Sequence, residues 1–439
     1  MPRLSRPVDR EILSLAVPAL GALVAEPVFL LVDSALVGHL GGVPLAGLGL
    51  ASAVLGTIGG IMVFLAYGTT PAVARRLGAG DRAGAISLGV DGTWLATGLG
   101  LVIGAVGFVV APLLVGVFGA AGDVTAEASA YLRIAMLGVP ALLIVFGATG
   151  LLRGLQDTRT PLAVAALGFA ANAGLNALFI YGLRLGMVGS AVGTDVAQWG
   201  MVAAYLVVIV RKARAEGASL RPHPRGVMGV AGAGWWLLIR TVMLRAAILL
   251  ATWVATRLGS TELAAWQVVM TVFNILAFTL DALAIAAQAL IGHGLGSADV
   301  AHVRAVLRRC LEWGIGSGVV LGALVVAASP WLGRVFTADR DVLAVLPVAV
   351  ALMGLAAPLD GFVFVLDGVL IGAGDARYLA FTGILNTACF VPCALVAAGG
   401  GSPAAFAWLA ASFAFVYLGA RAVTLGLRSR TQRWLVTGA

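Results

Sequence analysis

The chain has 439 residues, of which 61% are hydrophobic and only 11% are charged, whereas soluble domains carry ~25% charged residues. Together with a mean hydropathy of +1.03, this composition excludes a water-soluble surface and an intrinsically disordered chain. The three cysteines form no CxxC pair, and the net charge of +8 is spread over short loops. A disulfide scaffold, a zinc ribbon and a nucleic-acid-binding surface are therefore excluded, and the solvent of this protein is mostly lipid.

Long apolar segments separated by short polar loops predict an all-α membrane protein. A helix needs ~20 apolar residues to cross a bilayer. The segments are apolar at odd and even positions alike, which is not the alternation of a membrane β-barrel strand. We predict about twelve transmembrane helices in two six-helix bundles, at residues 11–37, 45–68, 85–110, 128–150, 162–183, 187–210, 235–258, 263–290, 310–330, 345–372, 378–400 and 403–427.

The loops divide into a basic set and a poorly basic set. Twelve spans place both termini on one side, and most of the 28 basic residues then fall in loops on that side. The stretch RKARAEGASLRPHPRG at 211–226 belongs to this set. The positive-inside rule assigns these loops to the cytoplasm. We expect a multi-pass protein of the plasma (inner) membrane with both termini cytoplasmic.

The sequence contains an internal repeat. Segment 137–162 (LGVPALLIVFGATGLLRGLQDTRTPL) aligns without gaps on segment 355–380 (LAAPLDGFVFVLDGVLIGAGDARYLA), and both contain Pro, Phe, Gly, Asp and Arg at matching positions. An even number of spans in each half makes the repeats parallel, an architecture found in transporters whose halves rock against each other. We predict an N-terminal lobe at 1–210, a solvated cytoplasmic linker at 211–230 and a C-terminal lobe at 231–439.

The motifs GLQDTR and GAGDAR, shared by the two repeats, are predicted to be structural. Their glycine would allow a turn at the end of a helix. Their aspartate would cap the next helix and pair with the arginine that follows it.

Ionisable residues inside the predicted spans are the best candidates for function, because each costs ~2.5–3.5 kcal/mol on insertion scales. The two halves do not share them: Asp33 aligns with Ala251, and Asp195 aligns with Phe413. Maintenance of a common fold therefore does not require them. Helical rise places five polar residues of the first half at a similar depth, with Glu26 two turns deeper: Asp33, Asn172, Asn176, Asp195 and Gln198.

A carboxyl group buried without a basic partner can take up a proton near neutral pH. No Arg or Lys of the first half shares the depth of Asp33. We therefore predict that Asp33, helped by Glu26 or Asp195, is the ion-coupling group, and that the neutral residues Asn172, Asn176 and Gln198 serve the substrate or a proton relay. The alternative is that Asp33 is only a satisfied polar residue bonded to Asn176.

The second half combines acids with a base inside its spans. We predict a C-lobe network of Arg245, Asp281, Asp360 and Asp367, in which Arg245 forms a structural or gating pair with Asp281 or Asp360. Aromatic residues within the spans, such as Trp199 and Trp253, are more typical of lipid-facing or packing positions than of a cation-binding cavity. We predict no metal site, because the histidines lack carboxylate neighbours.

Three segments resemble the multidrug and toxic compound extrusion (MATE) family: LVDSALVGHLGG in span 1, LLRGLQDTRTP after span 4, and FTLDALAIAAQALIGHGLGSAD through span 8. The stretches AEPVFLLVDSALVGHLG and FVLDGVLIGAG are most similar to its DinF-like branch. The resemblance covers nearly the whole chain. It implies twelve helices in two lobes, cation-coupled export of organic and often cationic compounds, and Asp33 as the coupling carboxylate of span 1.

The chain departs from the family pattern on span 5. Many members have Asn and then Asp one turn apart, where this sequence has Asn172 and Asn176. The second carboxylate is therefore missing, and Asp195 on span 6 could replace it. Asp360 falls where other branches have an acid on span 10.

The function predicted from the sequence is a secondary antiporter, coupled to protons or to sodium. We expect a monomer in the lipid bilayer with a small-molecule substrate, no nucleic acid and no cofactor. A rival from the same superfamily is a flippase for lipids or lipid-linked precursors, which would open sideways and would not need Asp33. An intramembrane enzyme is disfavoured, because no nucleophile or metal constellation is present and GAGD lacks the second aspartate of an aspartyl protease.

Overall fold

The computed structural model describes residues 7–400 and 403–438, and within these ranges the chain is helical and contains no strand. Residues 1–6, 401, 402 and 439 of the predicted lobes lie outside the described residues. Twelve helices are long and apolar enough to cross a membrane, which confirms the predicted fold class: α1 (Pro7–Gly38), α2 (Gly42–Gly78), α3 (Arg82–Gly116), α4 (Gly122–Gly154), α5 (Arg159–Gly182), α6 (Gly186–Glu216), α7 (Pro224–Leu258), α8 (Ser260–Gly296), α9 (Val300–Val335), α10 (Arg340–Gly372), α11 (Ala376–Ala398) and α12 (Ala404–Arg430).

Several helices are locally irregular. The α-helical pattern of α2 is interrupted at Val63, and α1 contains Pro18 and Pro27. Each proline lacks the N–H that would bond to the carbonyl one turn earlier, so α1 has two positions at which it can bend. Five π-helical residues, Leu178–Gly182, end α5, and a further six, Ser412–Tyr417, lie within α12. Such π-helical turns are frequent near functional sites.

The described residues form two compact units. One unit is Val17–Gly234, and the other contains the residues up to Ala16 together with Trp235–Gly438. The linker predicted at 211–230 thus groups with the first unit, and the first turns of α1 group with the second. Within the second unit, Asp9 of α1 accepts hydrogen bonds from Arg309 of α9 at 2.7 Å (Nε) and 2.8 Å (Nη2). This buried two-pronged contact explains why the start of α1 belongs there.

The linker between α6 and α7 is short and is anchored to α3. Helices α6 and α7 extend into the predicted linker from either side, and the segment between them docks onto α3. Asp91 accepts a hydrogen bond from the backbone N–H of His223 at 2.7 Å, Ser87 accepts one from Ser219 at 3.0 Å, and Trp94 donates to the Leu220 carbonyl at 3.1 Å. Most residues of the predicted linker are exposed, and α3 supplies partners for part of its polar backbone.

The repeat is visible in how the fourth helix of each half packs. The backbone of α4 approaches α2 closely at Gly150 and Gly154, where an added Cβ would press on Ala66 and Thr70. Helix α10 repeats this packing against α8. There, Gly368 and Gly372 lie against Ala284 and Gln288. The shared glycines therefore permit close helix packing.

The turn after these helices is made by a glycine of the motif, as predicted, only in the second half. The left-handed residue is Gln156 in the first half, with φ of 61°, and Gly374 in the second half, with φ of 75°. The shared glycines, Gly154 and Gly372, thus do not make the turn.

The acid of each motif also pairs elsewhere than predicted. Asp157 lies 3.3 Å from Lys212 at the end of α6, and Asp375 lies 2.6 Å from Arg428 at the end of α12. Each half therefore closes the same ion pair between its fourth loop and its sixth helix. The predicted pairing with the arginine of the motif is wrong, because the base comes from another helix.

The second unit has an aromatic core. Phe413 of α12 lies at its centre, with ring centroids 5.5 Å from Phe273 and from Tyr417, 5.7 Å from Trp266 and 6.0 Å from Phe390. Offset and edge-on contacts of this kind stabilise a core beyond simple burial. Phe413 occupies the position that Asp195 has in the first half, so the two halves fill equivalent places with opposite chemistry.

Candidate functional site

The first unit buries one carboxylate among neutral donors. Asp33 on α1 is 5% exposed, and its Oδ1 accepts hydrogen bonds from Asn176 Nδ2 on α5 at 2.7 Å and from Ser190 Oγ on α6 at 2.8 Å. No basic side chain bonds to Asp33 among the described residues. The hydrogen bond between Asn176 and Asp33, which the sequence analysis gave as the alternative to a coupling role, is present, and Ser190 adds a second donor from α6.

Small residues make this contact possible. Gly193 lies on α6 where an added Cβ would collide with Oδ1 of Asn176, so the amide can reach Asp33 only beside a glycine. Asn176 itself precedes the π-helical turn that ends α5. The local widening of that turn lies directly after the residue that holds Asp33.

Several buried oxygen atoms on α5 and α6, the two helices that bond to Asp33, have unused acceptor capacity. Within the described part of the chain, the buried Asn172 Oδ1, Asn176 Oδ1 and Thr194 Oγ1 accept no hydrogen bond. Asn172 lies one turn before Asn176 on α5 and is 3% exposed. Carboxylate, amide and hydroxyl oxygens are the ligands that hard cations prefer. The Asp33 carboxylate can therefore take up a proton, and α5 and α6 carry oxygen ligands of the kind that a small cation prefers.

A second carboxylate lies close by on α6. Asp195 is 9% exposed, and its carboxylate lies against Gly138 of α4, where an added Cβ would overlap it and come within 2.9 Å of Gln198. The buried Tyr131 of α4 lies near Ser190 and Thr194, within electrostatic range of both Asp33 and Asp195.

Glu26 differs from these residues in its surroundings. Its side chain is exposed on α1, two turns before the buried Asp33. Gln198 is half-buried.

The second unit contains a charged network. Asp367 of α10 pairs with Arg240 of α7 and lies 3.4 Å from Arg421 of α12. Asp360, two turns before Asp367 on the same side of α10, is 1% exposed, lies in the field of Arg421, and has an Oδ1 that accepts no hydrogen bond within the described residues. Asn386 and Thr382 of α11 help to line the adjoining cavity of about 10 Å³, which is about the least that holds one water molecule.

The bases of this network are Arg240 and Arg421, and not Arg245, which the sequence analysis predicted. Arg245 is exposed on α7, and Asp281 is half-buried on α8. Arg240 and Arg245 are five residues apart, which turns their side chains ~140° from each other around the helix. Their depth in the membrane, estimated from the sequence, does not show which of the two arginines faces the acids.

Sequence reasoning missed the hydroxyl partners of the first unit. Ser190 and Tyr131 carry no charge, and a serine in a helix ordinarily bonds to its own backbone. A signal does exist in the run from Gly189 to Asp195, which combines small and polar residues within a hydrophobic span. The predicted C-lobe network included Asp367 but not the two bases that it contacts, Arg240 and Arg421.

The fold and site together define a multi-pass membrane transporter built from two repeats. A family model described as MatE matches residues 18–178 and again residues 239–396, once in each half. The chain belongs to the MATE family, whose members are multidrug and toxic compound efflux transporters and not enzymes. The resemblance found in the sequence, including its DinF-like branch, is confirmed.

Relatives from plants and bacteria agree with this assignment. The chain is 29% identical to protein DETOXIFICATION 43 of Arabidopsis thaliana, covering 85% of this chain and 82% of the relative. It is 26% identical to DNA damage-inducible protein F of Escherichia coli (84% and 81% covered) and 23% identical to the probable multidrug resistance protein NorM of Thermotoga maritima (84% and 81% covered).

The fold is that of solved MATE transporters. A Vibrio cholerae MATE transporter superimposes with a TM-score of 0.89 at 19% identity, covering 98% of both chains. A MOP superfamily transporter from Pyrococcus furiosus gives 0.86 at 20% identity, covering 97% of this chain and 96% of the other.

Proposed function

We propose that this protein is a proton-coupled antiporter that exports organic cations across the plasma membrane, with Asp33 as the coupling carboxylate. The observation that carries the proposal is the surroundings of Asp33: a buried carboxylate, held by the neutral donors Asn176 and Ser190, can bind a proton or a cation without first breaking an ion pair. The printed names of relatives, multidrug resistance proteins NorM and MdtK, support organic compounds as substrates.

Coupling requires that the proton and the substrate compete for the same group. An organic cation is attracted by ionised Asp33, and proton uptake removes that attraction, so the two ligands exclude each other at one carboxylate. A ligand drives a conformational change only through its different affinities for the two states. We propose that Asp33 supplies this difference, with Asp195 and Glu26 as accessory acids and Asn172, Asn176 and Gln198 as the polar wall of the path.

The moving part that follows from this scheme is α1. It carries Asp33 and contains Pro18 and Pro27, at which a helix bends with less loss of hydrogen bonding. Loss of charge at Asp33 would change its bonds to α5 and α6 and so change the bend of α1. We propose that this bend accompanies the rocking of two six-helix lobes in a membrane where both termini are cytoplasmic.

The test is transport in everted membrane vesicles with ethidium as the fluorescent organic cation. Wild-type protein should accumulate ethidium when a pH gradient is imposed, and Asp33→Asn should not. Asp123→Asn, which alters an exposed acid at the start of α4, is the matched control and should behave as wild type. An imposed sodium gradient in the absence of a pH gradient separates the two coupling ions. Accumulation by Asp33→Asn equal to that of wild type would contradict the proposal.

A further inference from the structure

An apolar groove lies on the first unit and has no role in the scheme above. It is formed by α3, α4 and α6 and measures about 410 Å³, a volume within the range of small-molecule sites. Its principal lining side chains are apolar: Leu101, Ala105, Phe108, Met136, Leu137 and Trp199. Close approach of α3 to α4 at Gly104, whose added Cβ would press on the Met136 carbonyl, forms its floor.

The groove opens on the lipid-facing side of the helices. Leu101 is 57% exposed, Leu137 is 56% exposed and Trp199 is 44% exposed. Leu137 and Trp199 lie near the middle of α4 and α6, which are long and apolar enough to span the bilayer. Acyl chains surround a helix at that depth. Whatever enters the groove from this side therefore comes from the hydrocarbon region.

A buried carboxylate lies directly behind one wall of the groove. Asp195 is one helical turn before Trp199 on α6, and its carboxylate rests against Gly138, the residue next to Leu137 on α4. The wall is closed by the Trp199 indole, whose N–H donates to the Leu137 carbonyl at 3.4 Å. That distance is longer than the usual 2.7–3.2 Å of such bonds. One aromatic ring and one leucine thus separate the groove from Asp195.

We propose that this groove binds the alkyl chain of an amphipathic cation, which reaches Asp195 from within the bilayer when Trp199 swings aside. The chain would lie between α3 and α4, and the cationic head would meet the Asp195 carboxylate, with the face of the Trp199 indole beside it. A neutral lipid would leave Asp195 without a partner, so charge complementarity favours a cation. The inference names a substrate class and route for the proposed transporter, and only the export of the bound compound rests on that function.

The test is equilibrium binding in nanodiscs of neutral lipid, without any gradient. The probes are dodecyltrimethylammonium and tetramethylammonium, which share a head group and differ in the chain, with empty nanodiscs as the partition blank. Ala105→Trp fills the groove from an exposed position of α3. Val106→Trp places the same bulk on the neighbouring position, which is 57% exposed and does not line the groove.

Ala105→Trp should weaken dodecyltrimethylammonium binding at least about tenfold, equivalent to two fewer buried methylene groups, and leave tetramethylammonium binding unchanged. Val106→Trp should change neither, and Asp195→Asn should weaken both probes. If Ala105→Trp does not fold, Leu101→Trp with Val102→Trp as its control asks the same question, since Leu101 lines the groove and Val102 does not.

Equal effects of Ala105→Trp and Val106→Trp, or no binding of the long-chain probe by wild type, would overturn the proposal. A loss with Ala105→Trp but none with Asp195→Asn would mean that the groove binds the alkyl chain without recognition of the charge by Asp195, which also overturns the proposal. The failure of the proposed function would look different: chain-dependent binding would remain while ethidium accumulation failed to depend on Asp33.

Discussion

The two halves of this protein share a scaffold and differ in the charges that they bury. In both, glycines let the fourth helix approach the second, and a loop acid pairs with a base at the end of the sixth helix: Asp157 with Lys212, and Asp375 with Arg428. In the first half, Asp33 is bonded to neutral side chains. In the second half, Asp367 is neutralised by two guanidinium groups.

The two sites therefore differ in what their carboxylates can do. A carboxylate held by an amide and a hydroxyl can change its charge at the cost of altered hydrogen bonds. A carboxylate between Arg240 and Arg421 cannot lose its charge without leaving buried bases behind, which is strongly destabilising. The first site is therefore suited to coupling, and the second to holding α7, α10 and α12 together.

The largest expected effect separates the two acids by stability. Asp367→Asn removes the charge that Arg240 and Arg421 share and should lower the free energy of unfolding by ~3–5 kcal/mol. Asp33→Asn keeps an acceptor for the same donors and should cost less than about 1 kcal/mol. Thermal unfolding of the purified variants in one detergent measures both. Equal losses in the free energy of unfolding for the two substitutions would contradict the proposed difference between the sites.

A smaller effect distinguishes the two asparagines of α5. Asn176→Ala removes the Nδ2 donor of Asp33 and should slow gradient-driven ethidium transport about tenfold, the equivalent of one hydrogen bond to a charged group. Asn172→Ala, one turn away, removes a side chain whose Oδ1 accepts no hydrogen bond among the described residues and should slow transport less. Initial rates in vesicles at matched expression give the comparison. A larger loss of transport rate with Asn172→Ala would mean that Asn172, and not Asn176, makes the more important contact.

Much of this structure was predictable, for physical reasons that differ from residue to residue. Twelve spans follow from hydropathy because a bilayer imposes length and apolarity on every helix. The contact of Asp33 with Asn176 was predictable because both polar residues lie at the same depth within the apolar helices of the first half. The choice of Arg240 over Arg245 was not, because it depends on the rotation of α7 about its axis. Neither was Lys212 as the partner of Asp157, because several bases lie at the same membrane surface and depth does not show which of them an acid contacts.

The turn after the fourth helix offers a test of the shared scaffold. Gln156 has a left-handed backbone with φ of 61°, whereas its equivalent, Gly374, has φ of 75°. Because a side chain costs ~1 kcal/mol or more in that region, Gln156→Gly should stabilise the protein by about 1 kcal/mol, and Gly374→Gln should destabilise it by a similar amount. Opposite shifts of the unfolding temperature are expected. Shifts of the same sign would show that the two turns are not equivalent.

The smallest expected effect concerns pH. Burial opposes the charge of Asp157, but hydrogen bonds from the Thr160 backbone and hydroxyl, together with the Lys212 ammonium, hold the pKa of Asp157 below its ordinary value of 3.8. A lowered pKa in the folded state means that the ionised form stabilises the protein above that ordinary value and that this stabilisation is lost as pH falls. Asp157→Asn should cost less than about 1 kcal/mol at neutral pH.

The cost of Asp157→Asn should shrink as the pH is lowered below 3.8, the ordinary value. Unfolding of wild type and variant across this range provides the measurement. A difference that stays constant down to the lowest pH would assign the effect to hydrogen bonding without charge.

The most direct test of the central claim counts protons when substrate binds. Purified wild-type protein in weakly buffered solution should release about one proton for each organic cation bound, because both ligands compete for one carboxylate. Asp33→Asn should release none, and Asp123→Asn should match wild type. If Asp33→Asn releases as many protons as wild type, the coupling carboxylate lies elsewhere and the account of the first half is wrong.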